Sequence, residues 1–425
     1  MPHQEAVTVS AAIRPDRVER VADLLAGMSA QGAARNDVIS FADLDGVHFA
    51  RLFVLPTASD LDGREIPATL FYMCDVDAPA QRHLDALAEQ HGRGLDALFG
   101  HCVGFPEGEV TTALRVRFLG EHLVGSAATY IHTVGRSVDQ VRAEHGLREV
   151  IEDVVDTPGA ILPTDSAVQA VDRIRRAVLE REDFGWAGSP PSGPGLAFRV
   201  RRVAHLLLLI IVGLLLLPIL LPLVVVLMVL VRLQERTDVP DTARPSAEHL
   251  RATEQHEDFG AQNPFTAVGL VKAGGVRRLT MRSVLFGLDL ACRYIYRNDN
   301  LAGVRTIHFA RWTPIDEGRR LVFVSNYDNS LDSYMDDFID RLAWGLNAVF
   351  SNGAGWPRTR WLVLGGARDE SAFKDYLRTH QVPTPVWYSA YDTLTARNVD
   401  ANMVRREQLP RRLDEHAAAD WLSGL

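Results

Sequence analysis

Two copies of one tetrapeptide carry the side chains with the most chemical potential in this chain: His48-Phe-Ala-Arg51 and His308-Phe-Ala-Arg311. An imidazole and a guanidinium on one short strand can act as base and charge-stabilising group. With regular alternation the histidine and alanine share one strand face, and the phenylalanine and arginine share the other. Each residue also has a plain structural use, the arginine paired to an acid and the histidine bonded within a sheet. Retention in both copies favours a shared role, at an interface between two halves or around a symmetric pocket. A second cluster is Ser325-Asn-Tyr-Asp-Asn-Ser330, where Asn326 and Asp328 offer short oxygens to cap a helix expected from Leu331. The first half has Cys74-Asp-Val-Asp-Ala there, an oxygen-bearing turn without asparagine. An asymmetric pocket therefore belongs in the second half, where Trp312, Tyr327, Trp344, Trp356, Trp361, Trp387, Tyr388 and Tyr391 concentrate. Most of these are expected in core or interface; the sharper reading is a cluster around a flat apolar ligand. Candidate ligand-binding or interface residues are His48, Arg51, Asn326, Tyr327 and Tyr388. There is no G-x-x-x-x-G-K-[ST], G-x-S-x-G or H-E-x-x-H, and the histidines lack metal-ligand spacing, so no metal site is expected.

The elements that must position these residues repeat. In the first half the pattern predicts strands Ala6–Ile13, Gly46–Leu55, Ala68–Asp75 and Thr111–Phe118, with helices Pro15–Met28 and Gln81–Phe99. In the second it predicts strands Phe265–Val271, Val304–Thr313, Leu321–Tyr327 and Thr359–Leu364, with helices Val276–Arg297 and Leu331–Phe350. Gly94-Leu-Asp-Ala-Leu-Phe matches Gly345-Leu-Asn-Ala-Val-Phe, Asp77 falls opposite Asp328, and the segment from His122 shadows the one from His380. The expected class is α+β: duplicated ferredoxin-like βαββαβ domains at 1–156 and 258–409, packed as an internal pseudo-dimer. Between them lie a charged helix and flexible linker (157–202), a membrane segment (203–233) and a polar linker (234–257), and a tail follows at 410–425.

Leu206–Val231 contains no charged residue and would reach ~39 Å as a helix, more than the ~30 Å a bilayer core requires. Arg199, Arg201, Arg202 and Arg232 flank it and are expected to face the membrane. Arg278, Arg282, Arg293 and Arg297 form a stripe on the helix after the first repeat strand, which is either a solvated face or a second contact with anionic lipid. Basic flanks on both sides, a Pro218-Ile-Leu-Leu-Pro222 centre and the need for paired halves to share one side favour a re-entrant hairpin over a kinked single crossing. Net charge is −9 without a basic face, which argues against nucleic-acid binding. Three scattered cysteines suit a reducing compartment, so the soluble parts are expected on the cytoplasmic side.

On these motifs the chain resembles the dimeric α/β-barrel superfamily, which includes haem-binding dye-decolourising peroxidases, chlorite dismutase-like proteins and small monooxygenases. The stretch IHFARW…FVSNYD…GWPRTR…VWYSAY is similar to an uncharacterised bacterial membrane-associated family. The peroxidase likeness rests on element order and an aspartate after the third strand, here Asp328; the G-x-x-D-G glycines of those enzymes are missing. The first expectation is a membrane-tethered protein whose paired domains bind membrane lipid and either a small apolar ligand or a protein partner. The resemblance implies a rival, a haem-dependent peroxidase-like or monooxygenase-like oxidoreductase. In it Asp328 and Arg311 would be distal acid–base and charge-stabilising groups, with His308 as the catalytic ligand. A structural scaffold is the third reading.

Overall fold

The computed structural model describes residues 4–191, 196–258, 260–296 and 301–424, apart from the side chains of Ala197 and Phe198. The Gly-Pro centre of the linker and Arg297 of the arginine stripe lie outside the described residues.

Runs of alternating β-branched and aromatic residues form the first strands: β1 (Gln4–Ala12), β2 (Val47–Leu55) and β3 (Thr69–Asp77), with α1 (Val18–Gln31) between the first two. Helices α2 (Ala80–Gln90), α3 (Gly92–Phe99) and α4 (Thr112–Glu121) follow, then the short strand β4 (Ala128–Ile131) and helices α5 (Val138–Asp156) and α6 (Ala167–Leu179). The long helix α7 (Leu196–Glu235) and α8 (Ala247–Glu254) precede β5 (Gln262–Leu270). The second half continues with α9 (Gly275–Tyr294), β6 (Ile307–Ile315), β7 (Arg320–Asp328), α10 (Leu331–Phe350), α11 (Glu370–His380), β8 (Val386–Ser389), α12 (Ala396–Gln408) and α13 (Glu415–Ser423). The class is mixed α/β.

The strands make two antiparallel four-stranded sheets, ordered β1-β3-β2-β8 and β4-β6-β7-β5. Each sheet takes its last strand from the other half. Ile131, Tyr130, Thr129 and Ala128 face Phe309 to Trp312 on β6, and Ser389, Tyr388, Trp387 and Val386 face Phe49 to Leu52 on β2.

The expected fourth strands are corrected. Thr111–Phe118 is helical: Thr111 accepts the Leu114 N–H as an N-cap, and Arg115 forks onto Asp96 of α3. The apparent alternation of Leu114, Val116 and Phe118 gives way to that capped turn. Thr359–Leu364 pairs only through Thr359–Arg360 and Leu364–Gly365, because Trp361 and Leu362 adopt positive φ values of 54° and 67°. The buried Glu235 carboxylate holds that turn, accepting the Thr359 hydroxyl at 2.9 Å and the N–H groups of Trp361 and Leu362 at 2.9 and 2.8 Å.

The outer face of the first sheet is covered by α1, α2 and α3, and that of the second by α9 and α10. The inner faces meet through Phe53, Leu55, Phe71, Met73, Ile315, Val322 and Val324. A helical cap joins α5 and α6 to the C-terminal segment through Ile151, Ile174, Val178, Leu409 and Trp421, so the tail is anchored by α13.

One core histidine makes stability depend on pH. His83 of α2 is buried, with Nε2 2.6 Å from the Tyr72 hydroxyl and Nδ1 without a partner, and burial pushes its pKa down to about 4. Above pH 6.5 both folded and unfolded chains hold it neutral. As pH falls below 6.5 the unfolded chain binds a proton that the folded chain refuses, so stability drops until about pH 4 and is flat below. The expected loss is about 3 kcal/mol, read as a falling urea midpoint between pH 6.5 and 4. His83→Phe should remove most of that slope; an unchanged slope would place its origin elsewhere.

Helix α7 is continuous through Pro218 and Pro222, so the expected hairpin bend is not formed. Each proline deletes one backbone bond, whereas a bend would strand several peptide groups on an apolar surface. From Leu206 to Leu230 its apolar side chains are largely exposed on every side. Both its ends nevertheless meet the second half. Arg202 donates to the Arg293 carbonyl at 3.1 Å and His205 bonds the Tyr294 hydroxyl, at the C-terminal end of α9. Asp238, just past α7, accepts Lys272 at 2.7 Å and Arg277 at 2.6 Å at the N-terminal end of α9. The two ends of α7 therefore meet opposite ends of α9, in antiparallel sense.

Candidate functional site

The repeated tetrapeptide lies where the two sheets meet. Register shifts between Val47 and Phe49 and between Ile307 and Phe309 mark a β-bulge at each histidine. The bulge breaks the alternation that would have put histidine beside alanine, and turns it to the inner face with phenylalanine and arginine. Phe49 and Phe309 meet edge to face at 5.0 Å, and His48 and His308 each lie 5.7 Å from the phenylalanine of the opposite copy.

The arginines cross the interface in opposite directions. Arg311 donates to the Val7 carbonyl at 2.7 Å, the Thr8 hydroxyl at 2.8 Å, the Cys74 carbonyl at 2.8 Å, and the Asp75 carboxylate. Arg51 donates to the Phe265 carbonyl at 2.8 Å, the Thr266 hydroxyl at 3.0 Å, the Ser325 carbonyl at 3.0 Å, and the Asn326 amide oxygen. The partners correspond one for one, with a single change: aspartate in one copy, asparagine in the other. Burial pushes Arg51 down to about 9, opposed by the more distant Asp75.

That change yields a prediction. Asn326 Oδ1 serves Arg51 and Trp387 Nε1, while its Nδ2 is buried without an acceptor. Asn326→Asp removes the orphan donor and gives Arg51 a direct countercharge. A gain of about 1–2 kcal/mol is expected in urea unfolding; a loss would show that the site does not want a carboxylate.

The aspartates that end β3 and β7 also match. Asp77 lies 3.1 Å from His48 Nε2 and accepts the Val138 N–H of α5 at 3.2 Å. Asp328 lies 2.7 Å from His308 Nε2 and accepts the Ala396 N–H of α12 at 2.8 Å. Asp328 thus caps a helix, but α12 rather than α10; Ser330 and Asp258 cap α10. Each aspartate ties a bulged histidine to the helix that follows an exchanged strand. The copies differ at their second nitrogens: His48 Nδ1 is 2.9 Å from the Tyr391 hydroxyl, while His308 Nδ1 has no partner.

Arg51, Arg311, His48, His308, Asn326 and Asp328 are thereby gathered into one buried network. Tyr327 and Tyr388 are not in it. Tyr327 points outward under α10 with its hydroxyl toward Asp258, and Tyr388 packs beneath α1 with its hydroxyl accepting from Arg142. Sequence reasoning missed Thr8, Thr266, Gln4 and Gln262, the threonines receiving the arginines and the glutamines closing the loops after the exchanged strands. Their equal place in β1 and β5 was the signal available. Of the arginines expected to face a membrane, Arg202 reaches the Arg293 carbonyl of α9, Arg232 pairs with Glu235 of its own helix, and Arg199, Arg201, Arg278 and Arg282 lie on α7 and α9.

The residues do not fit the porphyrin implied by the peroxidase likeness. His308 is fully buried, its Nε2 is taken by Asp328, and its ring is packed by Phe49, His132 and Tyr391. Arg311 is committed to acceptors of the opposite sheet. Among the described residues no three His, Cys, Asp or Glu side chains converge as metal ligands.

An apolar cavity of about 240 Å³ lies elsewhere, between α9, α10 and the outer face of the second sheet, lined by Gly287, Ala291, Leu342, Gly345, Trp312 and Phe323 among others. Comparison of the chain with protein-family models, curated proteins and solved structures finds no match.

Proposed function

We propose that this chain is a membrane-tethered protein whose two halves, duplicated ferredoxin-like units with exchanged fourth strands, act as one pseudo-dimeric body that binds an apolar or lipidic ligand at the bilayer face. The exposed surface of α7 carries the reading. A helix apolar on all sides and left almost uncovered by the described residues between its two ends is poorly suited to water, and lipid is the cover it needs. Its connections set how it enters. Ser189 before it is bound by Arg406 of the helical cap, and Glu235 at its end is bound by the second half. Both ends belong to one body, so we place α7 within a single leaflet, entering and leaving by the same face. The basic flanks favour the cytoplasmic side for that face. An unbroken helix keeps its backbone paired in hydrocarbon, which the hairpin would not. The buried arginine–histidine network serves pairing of the halves.

Cysteines introduced at the exposed positions Ser189 and Arg236 test this, the three native cysteines being buried. In intact cells an impermeant maleimide should label neither, and after lysis both. Labelling of one alone from outside would establish a full crossing and refute the single-face arrangement. Flotation of the full chain with anionic vesicles, resistant to alkaline carbonate, is the accompanying expectation.

A further inference from the structure

We infer that the cavity between α9 and α10 is a binding site for a slender apolar molecule bearing one hydrogen-bond acceptor, such as the ester or carbonyl end of a single hydrocarbon chain. The inference deepens the ligand-binding reading above and rests on it for the ligand's source, the adjoining leaflet.

The cavity is built by small residues where two helices would otherwise close. Gly287 sits in the middle of the twenty-residue helix α9 with nothing within 4 Å of where a Cβ would stand. Glycine inside a helix costs roughly 0.5–1 kcal/mol relative to alanine, and no tight contact here demands it. What it provides is space. Ala291 one turn on, and Gly345 and Ala348 across the gap on α10, keep the same stripe open. At about 240 Å³ the space takes roughly eight water-sized groups, near ~30 Å³ each, which suits one chain of eight to ten carbons.

The floor adds a polar requirement. Trp312 of β6 lines the cavity and is only 5% exposed, yet its Nε1 is buried with no acceptor. Buried indole N–H groups ordinarily find a partner, and leaving one unmade is unfavourable. The Tyr296 hydroxyl also lines the cavity but makes no bond to this N–H, so a ligand oxygen would complete it. At the rim Trp344 is 51% exposed, and Leu279 and Phe286 are also exposed on α9, the helix whose two ends α7 meets. A chain leaving the leaflet beside α7 would cross apolar surface to reach the opening.

The test uses a ten-carbon methyl ester carrying a terminal diazirine, with full-length protein in nanodiscs, and maps photo-adducts by peptide mass spectrometry. Adducts are expected on the peptides containing Val284–Ala291 and Phe338–Phe350, competed by unlabelled ester. Gly287→Phe fills the cavity from a position free of backbone strain, so its melting temperature should equal or exceed that of the parent while labelling falls at least tenfold. Trp312→Phe should weaken ester labelling several-fold but leave a diazirine hydrocarbon of equal length unaffected. Adducts scattered over α7 alone, labelling that survives Gly287→Phe, or equal loss of both probes in Trp312→Phe would overturn the assignment. Flotation reports the tether separately: a chain that takes the ester without floating refutes the tether and spares the site, and one that floats without these adducts refutes the site.

Discussion

Arg311→Ala is expected to cost 3–5 kcal/mol, the usual consequence of removing one partner from a buried charged network. The arginine is 2% exposed and serves two backbone carbonyls, a threonine hydroxyl and the Asp75 carboxylate, all on the opposite sheet. Alanine leaves these acceptors dry and unpaired, and opens a cavity between the inner faces. Against a typical total stability of 5–15 kcal/mol, such a loss should sharply reduce the yield of folded protein at 37 °C. Urea unfolding followed by tryptophan fluorescence measures it, and Arg311→Lys should recover only part, since an ammonium cannot fork onto a carboxylate and the carbonyls together. A midpoint within about 0.5 kcal/mol of the parent would refute the cross-sheet role. Arg51→Ala should cost less, because its side-chain partner Asn326 is neutral.

The larger effect concerns the halves as wholes. Residues 1–191 made alone would leave the first sheet without β8, exposing the β2 edge whose partners are Val386 to Ser389. Residues 232–425 made alone would lack β4 and expose the β6 edge at Phe309 to Trp312. Each fragment would also display the apolar inner face that the other covers. Unpaired edges beside an exposed apolar face drive aggregation. Neither fragment should therefore be recovered as a soluble monomer, whereas co-expression should give a one-to-one complex that survives affinity purification. A soluble 1–191 with a cooperative unfolding transition would show that the exchanged strand is dispensable.

Much of this arrangement was legible because the two halves carry the same residues at matching points of the sequence. The two tetrapeptides, Asp77 opposite Asp328 and the shadowing segments after His122 and His380 all fall at matching places in the sheets. Those shadowing segments in fact contain the true fourth strands, which are too short for periodicity to separate from their loops. The exchange was hidden for a different reason: sequence pattern reports which face of a strand is buried, and says nothing about which neighbour pairs with its edge. The bulges were equally silent, since one inserted residue leaves the local composition unchanged while reversing the direction of a side chain. Of the aromatic residues concentrated in the second half, Trp312 and Trp344 line the apolar cavity, but Gly287 and Gly345, which make the room, carry no side chain to notice.

Strand exchange also imposes an order on synthesis. Val386–Ser389, the edge of the first sheet, is made about 300 residues after β3 is complete. At about 5–20 residues per second the first half waits roughly 15–60 s for its final strand. Within that interval α7 leaves the ribosome, and under the proposed tethering it would meet lipid then. On that proposal the tether would form before the body it holds is complete.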